Sequence, residues 1–129
     1  MTSCYIVKVG IVGDFNVGKS SFLNSYIEQE TFKSHVTTIG VDFRYMFYKY
    51  RDTDFKLQIW DTAGQEQYAN IVRSYLKEID IAIFMYDITN RETFNNLDRW
   101  IKEIDYFNMD KNVIKYIVGN KKDLNKHRE

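Results

Sequence analysis

Directly after the apolar run Ile6–Val12, residues Gly13–Ser20 read GDFNVGKS, a glycine followed at fixed distance by Gly-Lys-Ser. That spacing suits phosphate chemistry. Glycines let the backbone close around an anion, and the amides of Asn16, Val17, Gly18, Lys19 and Ser20, continued by Ser21 at the head of a helix, are expected to point at phosphate oxygens. Lys19 should reach the β- and γ-phosphates, and the Ser20 hydroxyl should ligate Mg²⁺. The plain alternative is a glycine turn beside a surface lysine; the preceding strand and following helix favour the phosphate loop.

A phosphate loop alone does not choose between adenine and guanine nucleotides, nor between a kinase, a motor and a switch. A second motif bears on that choice. At the end of the run VIKYIV stands GNKKD, in which Asn120, Lys121 and Asp123 match an Asn-Lys-x-Asp guanine signature. The Asp123 carboxylate can accept from guanine N1–H and the exocyclic amine, groups that adenine does not present in that arrangement. As an isolated string NKKD would be a solvated lysine-rich loop; beside a phosphate loop it reads as a base-recognition site, and it argues against an ATP-dependent kinase.

These residues need a scaffold. The runs Ile6–Val12, Ile81–Tyr86 and Val113–Val118 are rich in Ile and Val and poor in charge, as strands buried on both faces of a parallel sheet are. Between the last two, Phe94, Leu97, Ile101 and Ile104 recur at helical spacing, with Thr89 and Glu92 as a capping box at the start. Strand, helix, strand implies a right-handed crossover and a ligand at the carboxyl ends of the strands. VDFRYMFYKY, the polar RDTD and FKLQIW predict an antiparallel hairpin added to that sheet.

The 129 residues fit a single domain, residues 1–129, without repeat, linker or proline. Eighteen basic and eighteen acidic residues balance, so the electrostatic footprint of a nucleic-acid binder is missing. The lone cysteine, Cys4, suggests a reducing, cytoplasmic compartment. No secretory signal and no apolar run of the roughly 18 residues needed to span a bilayer is present. Thr2 excludes N-myristoylation and NKHRE holds no cysteine to prenylate, so attachment to intracellular membranes would require a longer, lipidated form. Cys4 and His35 are assigned no chemistry.

Taken together, these motifs resemble the Ras-like small GTPases and, within them, the Rab branch. GDFNVGKS, TTIGVDF, KLQIWDTAGQE, FMYDIT and GNKKD follow the family's order from Gly13 to Asp123, whereas QYANIV and YLKEI depart from the Rab pattern after the second switch. The resemblance implies an α/β phosphate-loop fold with a mostly parallel sheet, one antiparallel hairpin strand and flanking helices. It also implies a GTP/GDP switch with slow, Mg²⁺-dependent hydrolysis in vesicle trafficking. Thr38 would ligate Mg²⁺ and bond the γ-phosphate, Asp61 would hold Mg²⁺ through a water, Gly64 would meet the γ-phosphate and Gln65 would orient the attacking water. Effectors, exchange factors and activating proteins would engage the segments around Thr38 and Gly64, an activating partner supplying the catalytic arginine, since no arginine of this chain is obviously placed as an internal finger. Trp60, Phe43 and Tyr75 occupy positions of an aromatic effector surface, or serve the core.

The sequence departs from the family at three places. Phe15 and Asn16 stand where most members have a small residue or glycine. Thr31 occupies the position of the aromatic that stacks on guanine, with Phe32 adjacent as a substitute. The chain stops at Glu129, without the family's last strand, the Ser-Ala-Lys guanine loop and the final helix. That ending predicts an exposed edge at Val113–Val118 and self-association or loosened nucleotide binding. Phe15 and the ending favour the alternative reading, a degenerate module that binds guanine nucleotide or a partner without hydrolysis.

Overall fold

A computed structural model describes residues 3–27, 33–36, 42–61 and 76–129. In chain order these form β1 (Cys4–Gly13), α1 (Lys19–Ile27), β2 (Lys33–Val36), β3 (Asp42–Tyr50), β4 (Thr53–Asp61), β5 (Ile81–Asp87), α2 (Arg91–Asn95), α3 (Leu97–Phe107), β6 (Ile114–Asn120) and a 3-10 turn over Lys122–His127. Among the described residues the strands make one sheet in the order β2-β3-β4-β1-β5-β6. β1 runs parallel to both β4 and β5, and β5 parallel to β6; β2 and β3 are antiparallel additions. The expected hairpin closes in two residues, Tyr50 facing Thr53, with Arg51 at φ 54°, the positive angle that twisted hairpin turns require at their first central position.

Neighbouring residues on a strand face opposite sides, so β1 and β5 each serve two cores. Val12 and Phe84 join Leu76, Ile79, Leu97 and Ile104 beneath α3, while Ile11 and Met85 join Val17 and Leu23 beneath α1. Burying side chains as large as Phe84 or Ile104 is worth about 1.5–3 kcal/mol each. The phosphate loop is therefore hung between two packed layers. No helix among the described residues is long and apolar enough to cross a membrane.

The helix between β5 and β6 differs from the sequence reading in three ways. Its cap is Asn90, whose side chain accepts from the Glu92 amide at 3.1 Å, and not Thr89. Thr89 is drawn off by a stronger, charged acceptor: its amide and hydroxyl donate to Asp87 Oδ1 at 2.8 and 2.6 Å. The helix breaks at Asn96, which ends α2 and opens α3. Phe94, on the early side of that break, sits edge-on to Tyr86 at the sheet rim and stays exposed, while Thr93 is the buried residue of α2.

Val113–Val118 has the composition of a strand buried on both faces, but an exposed edge is also expected there, and the edge is what the structure shows. Ile114, Tyr116 and Ile117 are all more than half exposed, and β6 is the outermost strand, pairing only with β5 among the described residues. The apolar composition follows a central strand; the position does not.

Candidate nucleotide-binding site

Parallel pairing brings the carboxyl ends of β1, β4, β5 and β6 to one edge, which is where an open α/β sheet holds its ligand. Gly13 lies opposite Met85, Ile11 opposite Asp61, and Asp87 opposite Asn120. Both predicted motifs thus start from the same edge.

β1 ends at Gly13, where any Cβ would collide with the Met85 carbonyl of β5. The loop then turns through Asn16 at φ 66° and Gly18 at φ 95°. Asn16 stands where a small residue or glycine is expected, but asparagine is among the few residues that tolerate this left-handed conformation, so the residue suits the loop's shape. Val17 is fully buried between the strands and α1, pinning the loop from inside. Phe15 projects from the tip, 63% exposed.

α1 begins at Lys19, and the Phe22 amide to the Gly18 carbonyl is its opening hydrogen bond at 2.9 Å. Amides at the head of a helix have no partner in the preceding turn, and no acidic side chain occupies the first turn of α1 to offset its positive end. Ser20 and Ser21 stand here, Ser20 half-buried and Ser21 exposed. The Lys19 side chain is 3% exposed, and its Nζ donates to the carbonyls of Gly13 at 2.6 Å and Asp14 at 2.9 Å. A buried ammonium held inside the loop is a fixed cation for an incoming phosphate.

The guanine motif docks directly onto this loop. Asn120 closes β6 and donates through Nδ2 to the Val17 carbonyl at 2.8 Å. Gly18 must lack a side chain because a Cβ there would meet that same amide nitrogen. Lys121 adopts φ 69° and its ammonium pairs with Asp87 Oδ2 at 2.9 Å. Burial alone would raise the Asp87 carboxyl, but the Thr89 hydroxyl, the Lys121 ammonium and the Thr89 amide outweigh it and hold the carboxyl below its ordinary range. Asp87 therefore stays ionised as a brace for Lys121. Asp123, in the first turn of the 3-10 segment, is exposed.

The structure thus brings together Asn16, Val17, Gly18, Lys19, Ser20, Ser21, Asn120 and Lys121, with Asp123 following Asn120 in the exposed turn that leaves the same edge. Asp61 ends β4 on the same edge; its side chain lies outside the described residues. Phe32, Thr38, Gly64 and Gln65 lie outside them as well, as do Thr31 and Tyr75. Trp60 is half-buried with the Lys8 ammonium 5.3 Å from its ring centre. Cys4 is exposed and His35 belongs to β2. Sequence reasoning gave Asp87 no role, although an acidic residue closing a central strand at the ligand edge was a usable signal.

A Ras family model matches residues 8–129. Ras-related protein RABD2a of Arabidopsis thaliana is 43% identical over 124 residues, covering 96% of this chain and 61% of that protein. GTP-binding protein YPTM2 of Zea mays is 43% identical over 120 residues, covering 93% and 59%. Ras-related protein RABC1 of Arabidopsis thaliana is 44% identical over 125 residues, covering 96% and 58%. The chain spans about three fifths of the length of these curated relatives. With the phosphate loop, the docked guanine motif and a family match running through nearly all of its length, this chain belongs to the Ras family and within it is Rab-like.

Proposed function

We propose that this protein is a guanine-nucleotide switch that binds GTP and GDP with Mg²⁺ and hydrolyses GTP slowly, acting in vesicle traffic in the cytoplasm and, where a longer form is lipidated, at the surface of intracellular membranes. The observation that carries the reading is the hydrogen bond from Asn120 to the Val17 carbonyl, which makes the base motif and the phosphate loop one site. Lys19 and the α1 amides neutralise phosphate, Asp123 reads guanine, and Lys121 is oriented by Asp87. Phe32 is the substitute for the guanine-stacking aromatic. Thr38 and Gly64 engage the γ-phosphate and Gln65 orients the attacking water. Catalysis comes from positioning and charge stabilisation, without a covalent intermediate. Loss of the γ-phosphate releases the segments around Thr38 and Gly64, which effectors, exchange factors and activating proteins read. Identifying the nucleotide that co-purifies with the protein tests this directly: GDP or GTP is expected, and an adenine nucleotide in its place overturns it.

The donor set suits Mg²⁺. The Ser20 hydroxyl stands at the head of α1, and β4 delivers Asp61 opposite Ile11 on the same edge, both hard oxygen donors, with Thr38 as the third. Bound there, the ion would offset phosphate charge. Chelation should therefore speed GDP release by roughly tenfold or more, equivalent to at least about 1.4 kcal/mol. Ser20→Asn should bias the protein towards GDP or the empty state. Release rates indifferent to chelator would remove the ion from the site.

Exposed apolar edges recruit other chains. Ile114, Tyr116 and Ile117 on outermost β6 support self-association of the 129-residue chain through that edge. Light scattering over a concentration series should show mass rising above that of a monomer. A monomer at all concentrations contradicts it.

One observation favours a second reading. The exposed Phe15 ring at the loop tip suits a module that holds nucleotide without turning it over.

A further inference from the structure

Resting on the reading of the loop as a nucleotide site, we propose that Asp14 is a positioning residue, latching the phosphate loop to the start of α3 and so fixing the carbonyl that aims Lys19. Asp14 is the first residue of the loop after Gly13, and its carboxylate is only 17% exposed. Oδ2 accepts from Asn96 Nδ2 at 2.6 Å and Oδ1 from Trp100 Nε1 at 2.8 Å. The Arg99 guanidinium adds a longer contact at 3.5 Å; with Arg99 68% exposed, solvent screens most of its pull. The latch proper is therefore the pair Asn96 and Trp100.

The helix break gives this arrangement its geometry. Asn96 caps α2 and opens α3, and Trp100 follows one turn later with its ring against the core under α3. Positions four apart share a helix face, so both donors meet one carboxylate. The backbone of Asp14 then does the second half of the work, because its carbonyl accepts the Lys19 ammonium at 2.9 Å. A shift of Asp14 moves a ligand of Lys19.

Charge supplies a second reason for the latch. A carboxylate at the entrance of a phosphate-binding loop repels phosphate and competes for Lys19, unless donors on its far side hold it away. Asn96 and Trp100 do that. Trp100→Phe keeps the ring and removes one donor, while Asp14→Asn removes the charge and leaves a weaker acceptor.

Two measurements test the latch. In the nucleotide-free chain, hydrogen exchange at the amides of residues 15–19 should quicken about tenfold in Trp100→Phe and in Asp14→Asn, with exchange in β1 and β5 unchanged. GDP release should quicken by a similar factor in Trp100→Phe, where the loosened residue keeps its charge, and by less in Asp14→Asn, which removes the charge that repels phosphate. The double variant should release no faster than the faster single, because one shared interaction is broken once. A residue serving stability alone would instead quicken exchange in β1 and β5 together with the loop and leave GDP release at the parent rate. Loop exchange at the parent rate in either variant overturns the proposal. If the parent chain retains no GDP, the proposed function fails, and the exchange comparison alone decides the latch.

Discussion

Asp123→Asn is expected to weaken GDP and GTP binding on the order of 10³-fold while leaving the fold intact. The carboxylate is the acceptor in this motif that can serve both guanine N1–H and the exocyclic amine. Two hydrogen bonds to a charged acceptor contribute about 1.5–3 kcal/mol each, which sets the size of the effect. Asn offers one acceptor and one donor, a pattern that suits a xanthine ring carrying a carbonyl where guanine carries its amine. The variant should therefore prefer xanthosine diphosphate. Asp123 is exposed, so the substitution removes little from the folded chain, and its thermal transition should stay close to the parent's. Calorimetric titration of both nucleotides against parent and variant decides the matter. Unchanged GDP affinity in the variant, or equal affinity of the parent for ATP and GTP, means that Asp123 does not read the base.

Much of this site was legible because its motifs are local. GDFNVGKS carries within eight residues the glycines, the lysine and the helix start that its chemistry needs, and β1 and α1 formed on either side as the apolar run and the loop implied. Asn120 was equally legible as a motif residue. What the string could not reveal was that its side chain would reach Val17, a contact across 103 positions that depends on β1 and β6 flanking the same strand. Strand order is a tertiary property, and this contact traces to it. Thr89 failed as a cap because Asp87 stood close enough to claim its hydroxyl. The exposed edge at β6 was legible in the sequence, although the strand's composition is that of an inner one: it lies outermost, with Tyr116 and Ile117 bare. Asn16 shows the reverse error, since a residue read as a departure has the backbone angle that asparagine tolerates.

The edge on which these residues meet also explains why small contacts should have large effects. β5 contributes Met85 to the collision that keeps Gly13 a glycine, and Asp87 to the brace under Lys121. The phosphate loop is thus gripped from β5 below, from Asn120 beside it and from Asn96 and Trp100 at its entrance. Only its tip is unconstrained by packing, and the tip carries Phe15.

Phe15→Gly and Phe15→Ser are expected to raise GTP turnover, by about 10²-fold where an activating partner supplies an arginine. The ring is 63% exposed at the tip of a loop whose flanking Asp14 is held by its carboxylate contacts, so the Phe15 backbone stays in place and its bulk remains at the tip. On the proposed reading, the space beyond the tip is where the γ-phosphate, the Gln65 side chain and an incoming arginine must converge. Displacing reacting groups by about 1 Å costs on the order of 10²-fold in such reactions. Serine and glycine remove the ring by different means: glycine adds backbone freedom worth up to about 1 kcal/mol, whereas serine does not. A gain shared by both variants therefore isolates the steric effect from loosening of the loop. Stability should change little, because an exposed side chain contributes little to the core. Single-turnover hydrolysis of bound GTP, with and without a cognate activating protein, is the measurement. Rates that rise in neither variant remove the steric argument, and with it Phe15 as the reason to regard the chain as a non-hydrolysing module.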